Sequence, residues 1–296
     1  MTISADFRAG YVALVGRPNV GKSTLLNQLL KFKLSIVTRK PQTTRKKILG
    51  ILSEQSYQII FTDTPGLIEP HYNLQDIMMN YLKSAVKDAD VLVYIADAVK
   101  PQRDFTEVDQ QVLSLEKPVI LVLNKVDLIP RDQLLPLIDH YRNHFNFTGI
   151  VPVSALKNDG LDILLKEIVE RLPFNPPYFP LDQLTDQQER FFVAEIIREK
   201  IFNFYGKEIP YSCHVQIETF KQQKGKKDYI SADIYVDQTS QKGILIGKNG
   251  SALKRVGEAA RIDIEEFLER PVFLELYVKV LQGWRKNPAK LKSLGY

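Results

Sequence analysis

In 296 residues the chain has one cysteine, one tryptophan, three methionines and four histidines. The single cysteine, Cys213, excludes an internal disulfide. Inside the strand-like run YSCHVQIETF it reads as a small buried hydrophobe and not as a redox or metal residue. His71, His140, His144 and His214 are assigned no chemistry. No run approaches the roughly 18 apolar residues that a membrane-spanning helix needs. The opening stretch MTISADFRAGYVALVG has neither a basic lead-in nor a long apolar core. The expectation is therefore a cytoplasmic protein with no disulfide framework and no transmembrane segment. Internal repeats and low-complexity tracts are also missing.

Acidic residues are missing from one place in particular. After Glu275 the chain carries Lys279, Arg285, Lys286, Lys290 and Lys292 and no acidic side chain. The net charge is +5, and residues 187–296 hold all of it, with 19 Lys and Arg against 14 Asp and Glu. A polyanionic partner for this second part follows as an expectation. Lys221, Lys224, Lys226 and Lys227 by themselves read as a solvated hairpin. Phe202, Phe204, Tyr205 and Trp284 read as packing residues.

The length exceeds a single domain of about 100–200 residues, so two domains are expected. Near-continuous apolar runs at 11–16, 57–63, 89–97, 118–125 and 149–154 suit strands buried on both faces of a mostly parallel sheet. Helix-like segments at 22–31, 76–89, 105–116, 133–145 and 160–172 alternate with them, and 46–54 reads as an added edge strand. That order specifies an α/β domain over 1–173. The stretch PFNPPYFPLDQLTD holds four prolines and reads as a linker over 174–187. A smaller α+β domain with a basic tail follows over 188–296, in the order helix, strand from 211, strand from 229, two helices around GKNG, and strand from 271.

Four motifs fall in order at the ends of the first domain's strands. Gly16, Arg17, Pro18, Asn19, Val20, Gly21, Lys22 and Ser23 fit the phosphate loop G-x-x-x-x-G-K-S/T between a strand and a helix. Backbone N–H groups and the helix N-terminus would hold phosphates, Lys22 would reach them, and Ser23 would ligate Mg2+. Asp63, Thr64, Pro65 and Gly66 close the strand YQIIFTD, placing a carboxylate at the metal and the Gly66 N–H at the terminal phosphate. Asn124, Lys125, Val126 and Asp127 close PVILVLNK; an aspartate there accepts from both donors of the guanine edge, a pair that adenine lacks. Ser154 and Ala155 open SALK, whose backbone N–H groups are expected at guanine O6. The loop 35–45 suits a first switch whose threonine, Thr43 or Thr44, reaches Mg2+; Thr44 is carried forward as the ligand. Lys22, Thr44 and Gly66 are the candidate catalytic residues, for hydrolysis of GTP to GDP. The next residue, Leu67, carries no amide to orient water, so slow intrinsic hydrolysis is expected.

In the second domain GILIGKNG precedes SALKRVGEAARIDIEEFLE, a G-x-x-G turn between two helices that looks like a type II KH domain. Such a turn clamps about four nucleotides of single-stranded RNA. Gly247, Lys248, Asn249 and Gly250 form the candidate clamp, with Lys254 and Arg255 behind it. Ile244, Leu245 and Ile246 are the candidate apolar floor for bases, of which Ile244 and Ile246 are carried forward as RNA contacts.

The set GRPNVGKS, DTPG, NKVD and SALK, joined on one chain to GILIGKNGSALKRVGEAAR, resembles the Era family of the TrmE/Era/Der-type GTPase superfamily over essentially the full length. The resemblance implies a partner in the 3′ end of 16S rRNA, a place in assembly of the 30S ribosomal subunit, and peripheral contact with the inner membrane. Asn19 resembles the asparagine of GTPases that recruit K+ beside the phosphates. A monomer is expected. The competing reading is a GTP-regulated adaptor or membrane-associated signalling protein whose KH-like fold serves as an interaction surface.

Overall fold

A computed structural model describes residues 6–38, 40–102 and 104–296. Arg39, within the first-switch segment, lies outside the described residues, as do the first five positions of the first domain. The chain divides into two compact units. The first contains the large sheet and extends to Asp186; the second starts at Gln187 and also takes in Ile36–Lys40 and Pro70–Ile77.

The first unit is a six-stranded sheet in the order β2-β3-β1-β4-β5-β6. Its strands are β1 (Arg8–Val15), β2 (Ile48–Ser53), β3 (Tyr57–Asp63), β4 (Val91–Asp97), β5 (Val119–Asn124) and β6 (Gly149–Val153). All neighbours are parallel except β2, which runs antiparallel to β3 at the edge. The intervening helices are α1 (Lys22–Leu30), α2 (Asn73–Asp88, counted with this unit from Met78), α3 (Glu107–Leu113), α4 (Leu134–Arg142) and α5 (Leu161–Arg171). Strands β4 and β5 are almost wholly buried, as helix-covered parallel strands must be. After β1 the chain first builds β2 and β3 on one side, then crosses to β4 on the other. Strand order reverses at β1, and the loop after β1 opens at the crevice where such sheets bind ligands.

Residues 174–186 form neither helix nor a regular strand, yet they are held against the first unit. The buried Gln58 donates to Phe179 O (2.9 Å) and accepts from Tyr178 N (2.8 Å) and Phe179 N (3.0 Å). Farther on, Ile51 N donates to Leu184 O (2.8 Å) and Thr185 Oγ1 to Leu49 O (2.7 Å). The last two bonds pair backbone groups on the outer edge of β2 that would otherwise stay open.

The second unit packs α6 (Glu189–Phe204), the short α7 (Ile209–Ser212), α8 (Thr239–Ile246) and α9 (Ser251–Leu268) with a three-stranded sheet. The sheet order is β7 (His214–Lys221), β8 (Asp228–Val236), β9 (Val272–Val280), antiparallel then parallel. The strand expected from 211 starts at His214, because Pro210 is accommodated in the first turn of α7. Cys213 is fully buried in the core, together with Val193, Ile197, Ile234 and Ile264. The basic tail folds into α10 (Pro288–Ser293), preceded by a turn that buries Trp284 completely, its Nε1 donating to Ser212 O (3.0 Å).

Candidate nucleotide site and RNA-binding turn

The loop after β1 turns back on itself through Gly21, whose φ of 103° is left-handed. A Cβ on Gly21 would meet Asn124 Nδ2 at 2.2 Å, so only glycine fits. Helix α1 then starts at Lys22 with no side chain capping it, leaving its first N–H groups to face an anion.

Lys22 is 7% exposed, and its Nζ donates to Gly16 O and Arg17 O, both at 3.0 Å. Burial pushes its ammonium down to about 8, opposed by the charge of Asp63. Asp63 at the end of β3 is fully buried, and burial pushes its carboxyl up against the pull of Lys22 and the Ser35, Ser23 and Thr44 hydroxyls. Ser23 Oγ lies 3.0 Å from Asp63 Oδ2 and 3.1 Å from Thr44 Oγ1, and Thr44 Oγ1 lies 3.2 Å from the same carboxylate oxygen. The other oxygen, Asp63 Oδ1, is buried without a hydrogen bond of normal geometry. Two hydroxyls and a carboxylate converging in this way are a hard-oxygen set that fits Mg2+. Thr44 supplies the threonine of this cluster.

At the ends of β5 and β6 the residues divide their work. Asn124 acts as a cross-tie: its Nδ2 donates to Val20 O (2.8 Å), while its Oδ1 accepts from Lys125 N (2.8 Å) and Ala155 N (3.0 Å). The Ala155 N–H, expected at guanine O6, is thus engaged with Asn124. Asp127 has a buried Oδ1 that makes no hydrogen bond of normal geometry. The Ser154 hydroxyl, more than the charge of Lys157, holds its carboxyl below the usual range, so it is ionised and accepts only. Lys125 Nζ donates to Asn19 O (2.8 Å), which lays its stem across the phosphate loop.

Other motif positions are occupied structurally. Thr64 Oγ1 donates to Leu14 O (2.6 Å), and the Leu67 N–H donates to Gly16 O (3.0 Å), so both fasten the loops to β1. Pro65 is buried, Pro18 packs beside Gly66, and Val126 opens the turn that carries Asp127. The Arg17 guanidinium is engaged elsewhere, donating to Asp104 O (3.0 Å) and pairing with the buried Asp109 at 3.5 Å.

Two acidic residues escaped the sequence reading. Asp97 ends β4 in register with Asn124; its Oδ2 pairs with Lys125 Nζ at 2.6 Å and its Oδ1 accepts from Val99 N. The signal was a strand, ADVLVYIAD, that closes on a charge. Asp109 gathers Tyr94 OH (2.8 Å), Gln102 Nε2 (2.7 Å) and Thr106 N (2.9 Å). Burial alone would raise its carboxyl, but these donors hold it below the ordinary value.

In the second unit α8 ends at Ile246 and the chain turns through Gly247, at φ 73° and ψ 178°, before α9 begins at Ser251. A Cβ on Gly247 would meet Ala252 Cβ at 2.6 Å, whereas one on Gly250 would meet nothing within 4 Å. Helix α9, like α1, has no side-chain cap. Lys248, Asn249, Lys254 and Arg255 are exposed around its start, with the Arg255 guanidinium 4.6 Å over the Phe204 ring. Ile244 is exposed and Ile246 half-buried, but Leu245 is fully buried and its carbonyl accepts from Tyr205 OH (2.7 Å). Leu245 therefore belongs to the core and not to a floor for bases.

A doubly wound sheet with this loop, and a KH fold of the type II order, define a P-loop GTPase carrying a KH module. The family model described as a 50S ribosome-binding GTPase matches residues 11–125, and the KH domain model matches 208–285. The GTPase Era of Ruminiclostridium cellulolyticum is 43% identical, over 98% of both chains. The chloroplastic GTPase ERA1 of Zea mays is 44% identical over the whole of this chain and 72% of its own. A crystal structure of an Aquifex aeolicus Era variant bound to GDP and AlF4− superposes with a TM-score of 0.94 at 43% identity, covering 98% of this chain and 99% of that one. Equal values hold for a crystal structure of Era in complex with MgGDPNP and nucleotides 1506–1542 of 16S ribosomal RNA. The chain belongs to the Era family of GTPases.

If Asp127 reads the base, Asp127→Asn exchanges its acceptor for a donor and should favour xanthine, whose C2 carbonyl replaces the guanine amine. GTP affinity should drop about 100-fold or more, with XTP binding gained. Unchanged GTP affinity in an equilibrium titration would remove Asp127 from the base site.

Proposed function

We propose that the protein is a GTP-hydrolysing switch that binds single-stranded RNA at the 3′ end of 16S rRNA during assembly of the 30S subunit. Among the described residues three helices, α1, α5 and α9, start uncapped behind a left-handed glycine, and the observation that carries this reading is that two of them stand beside basic groups. One stands beside a buried lysine and an oxygen cluster, the other beside exposed basic residues. The family description for 11–125 names the large subunit, whereas the RNA in the Era complex is 16S. The second carries more weight here, because that match spans the KH module as well as the GTPase domain.

In this reading Ser23, Thr44 and Asp63 hold Mg2+, which on binding would neutralise charge on the phosphate oxygens. Lys22 and the α1 N-terminus bind the phosphates, Gly66 donates its N–H to the terminal one, and Asp127 with Lys125 selects guanine. Leu67 is buried and apolar, so water at the terminal phosphate must be oriented by another group. Asn19 stands exposed at the loop rim with φ 65°, and we assign it a K+ ion that offsets developing charge. Turnover should then be faster in KCl than in NaCl at matched ionic strength; equal rates would dismiss the ion. A monomer, cytoplasmic residence and peripheral contact at the inner membrane belong to the same reading. No helix among the described residues is long and apolar enough to cross a membrane.

The RNA half is tested by Gly250→Asp in the full chain. Aspartate tolerates the φ of 78° there, and the space around it is open, so the module should stay folded. A carboxylate at the phosphate approach should abolish RNA binding while leaving GTP affinity unchanged. Wild-type RNA affinity retained in this variant would favour the adaptor reading.

A further inference from the structure

The helices of the second unit cover one face of its sheet. The other face carries four cross-strand rows fixed by register. The first row is Lys221, Tyr229 and Phe273; the third and fourth bring Asp233 beside Tyr277 and Tyr235 beside Lys279. The rings are not core residues: Phe273 is 52% exposed and Tyr277 50%. Tyr229 and Phe273 lie with centroids 6.1 Å apart and planes only 19° from parallel. Glu275 fixes the two phenols beside them, accepting from Tyr229 OH at 2.5 Å and Tyr277 OH at 3.2 Å. Its hydrogen bond raises the Tyr229 phenol and its charge raises that of Tyr277, so both stay neutral.

This face adjoins the β7–β8 turn. Residues 221–227, KQQKGKK, are all exposed and contain Lys221, Lys224, Lys226 and Lys227 with no acidic residue. The acid that follows, Asp228, is buried and paired with Arg270 at 2.5 Å, so it does not neutralise the turn. By sequence alone these lysines read as a solvated hairpin. In the fold they border an ordered, outward-facing pair of rings.

We propose that Tyr229 and Phe273, with the lysines of the 221–227 turn, form a second RNA surface that stacks bases of the strand continuing beyond the Gly247–Gly250 clamp. This proposal rests on the RNA reading above and extends it to a different face of the module. Rings supply stacking that tolerates any base, and lysines supply the phosphate attraction. Helix α9 runs from the clamp back to the start of β9, so the clamp and the aromatic pair lie at opposite ends of this helix. The 18-residue helix, at about 1.5 Å per residue, separates them by roughly 27 Å. A short oligonucleotide held at the clamp therefore cannot reach the rings, and a longer one can.

The experiment compares full-length wild type with Phe273→Ser and with Lys224→Glu, Lys226→Glu, all bound to a non-hydrolysable GTP analogue with Mg2+. Each is titrated with a 4-nucleotide and a 16-nucleotide single-stranded RNA. All three positions are exposed, and unchanged melting temperatures verify the folds. Phe273→Ser should lower affinity for the long RNA about tenfold and leave the short one unchanged. The double lysine variant should flatten the salt slope for the long RNA alone, by about 0.7 for each phosphate that is no longer neutralised. Wild-type affinity for the long RNA in both variants would overturn the platform while leaving the clamp standing. So would equal losses on both lengths. A wild-type protein that binds neither RNA would overturn the platform and the RNA reading together.

Discussion

Two opposite charges buried at the mouths of neighbouring strands govern the first unit. Lys22 stands just past β1 and Asp63 ends β3, and both are almost or wholly excluded from solvent. Taking each ion out of water costs several kcal/mol, which backbone carbonyls and hydroxyls offset only partly. The displaced ionisation of both groups registers that shortfall. In the function proposed above, phosphate oxygens and a divalent cation would supply the missing counter-charges, so the site would gain most from that ligand. The other features follow from keeping this pair in place: glycine at 21, an uncapped α1, and Asn124 bridging three loops.

The same physics recurs in the second unit without the buried charge. Helix α9 also starts behind a glycine turn and also lacks a side-chain cap, but its basic residues are exposed. An exposed lysine keeps its hydration until a phosphate arrives and contributes less to each bond it makes. Binding there is expected to rest on several weak interactions and to respond steeply to salt. A nucleotide held by buried groups and an RNA held by exposed ones differ in this respect.

The parts of the fold legible in the sequence were those encoded locally. GRPNVGKS, DTPG and NKVD each join a strand end to a turn within a few residues, and unbroken apolar runs announced β1 and β3 to β6. What stayed hidden depends on register or on distant partners. Asp97 matters because β4 lies beside β5, which sets its carboxylate against Lys125. Gln58 looked like an ordinary strand residue, yet it binds the backbone about 120 residues later. Leu245 could not be separated from Ile244 by composition; helical phase alone turns one inward and the other out. Lys221, Tyr229 and Phe273 share a row although Lys221 and Phe273 are 52 positions apart, a proximity that no local pattern carries.

The dependence on buried charge is tested most directly by removing both charges at once, in the double variant Lys22→Met, Asp63→Asn. Equilibrium unfolding is measured without nucleotide and with MgGDP at about 100 times its dissociation constant, where wild type should gain about 2.7 kcal/mol. The expected result is a nucleotide-free variant as stable as wild type or more so, with no gain from MgGDP. A nucleotide-free variant clearly less stable than wild type, still stabilised by MgGDP, would contradict it: the pair would then serve the fold and not the ligand.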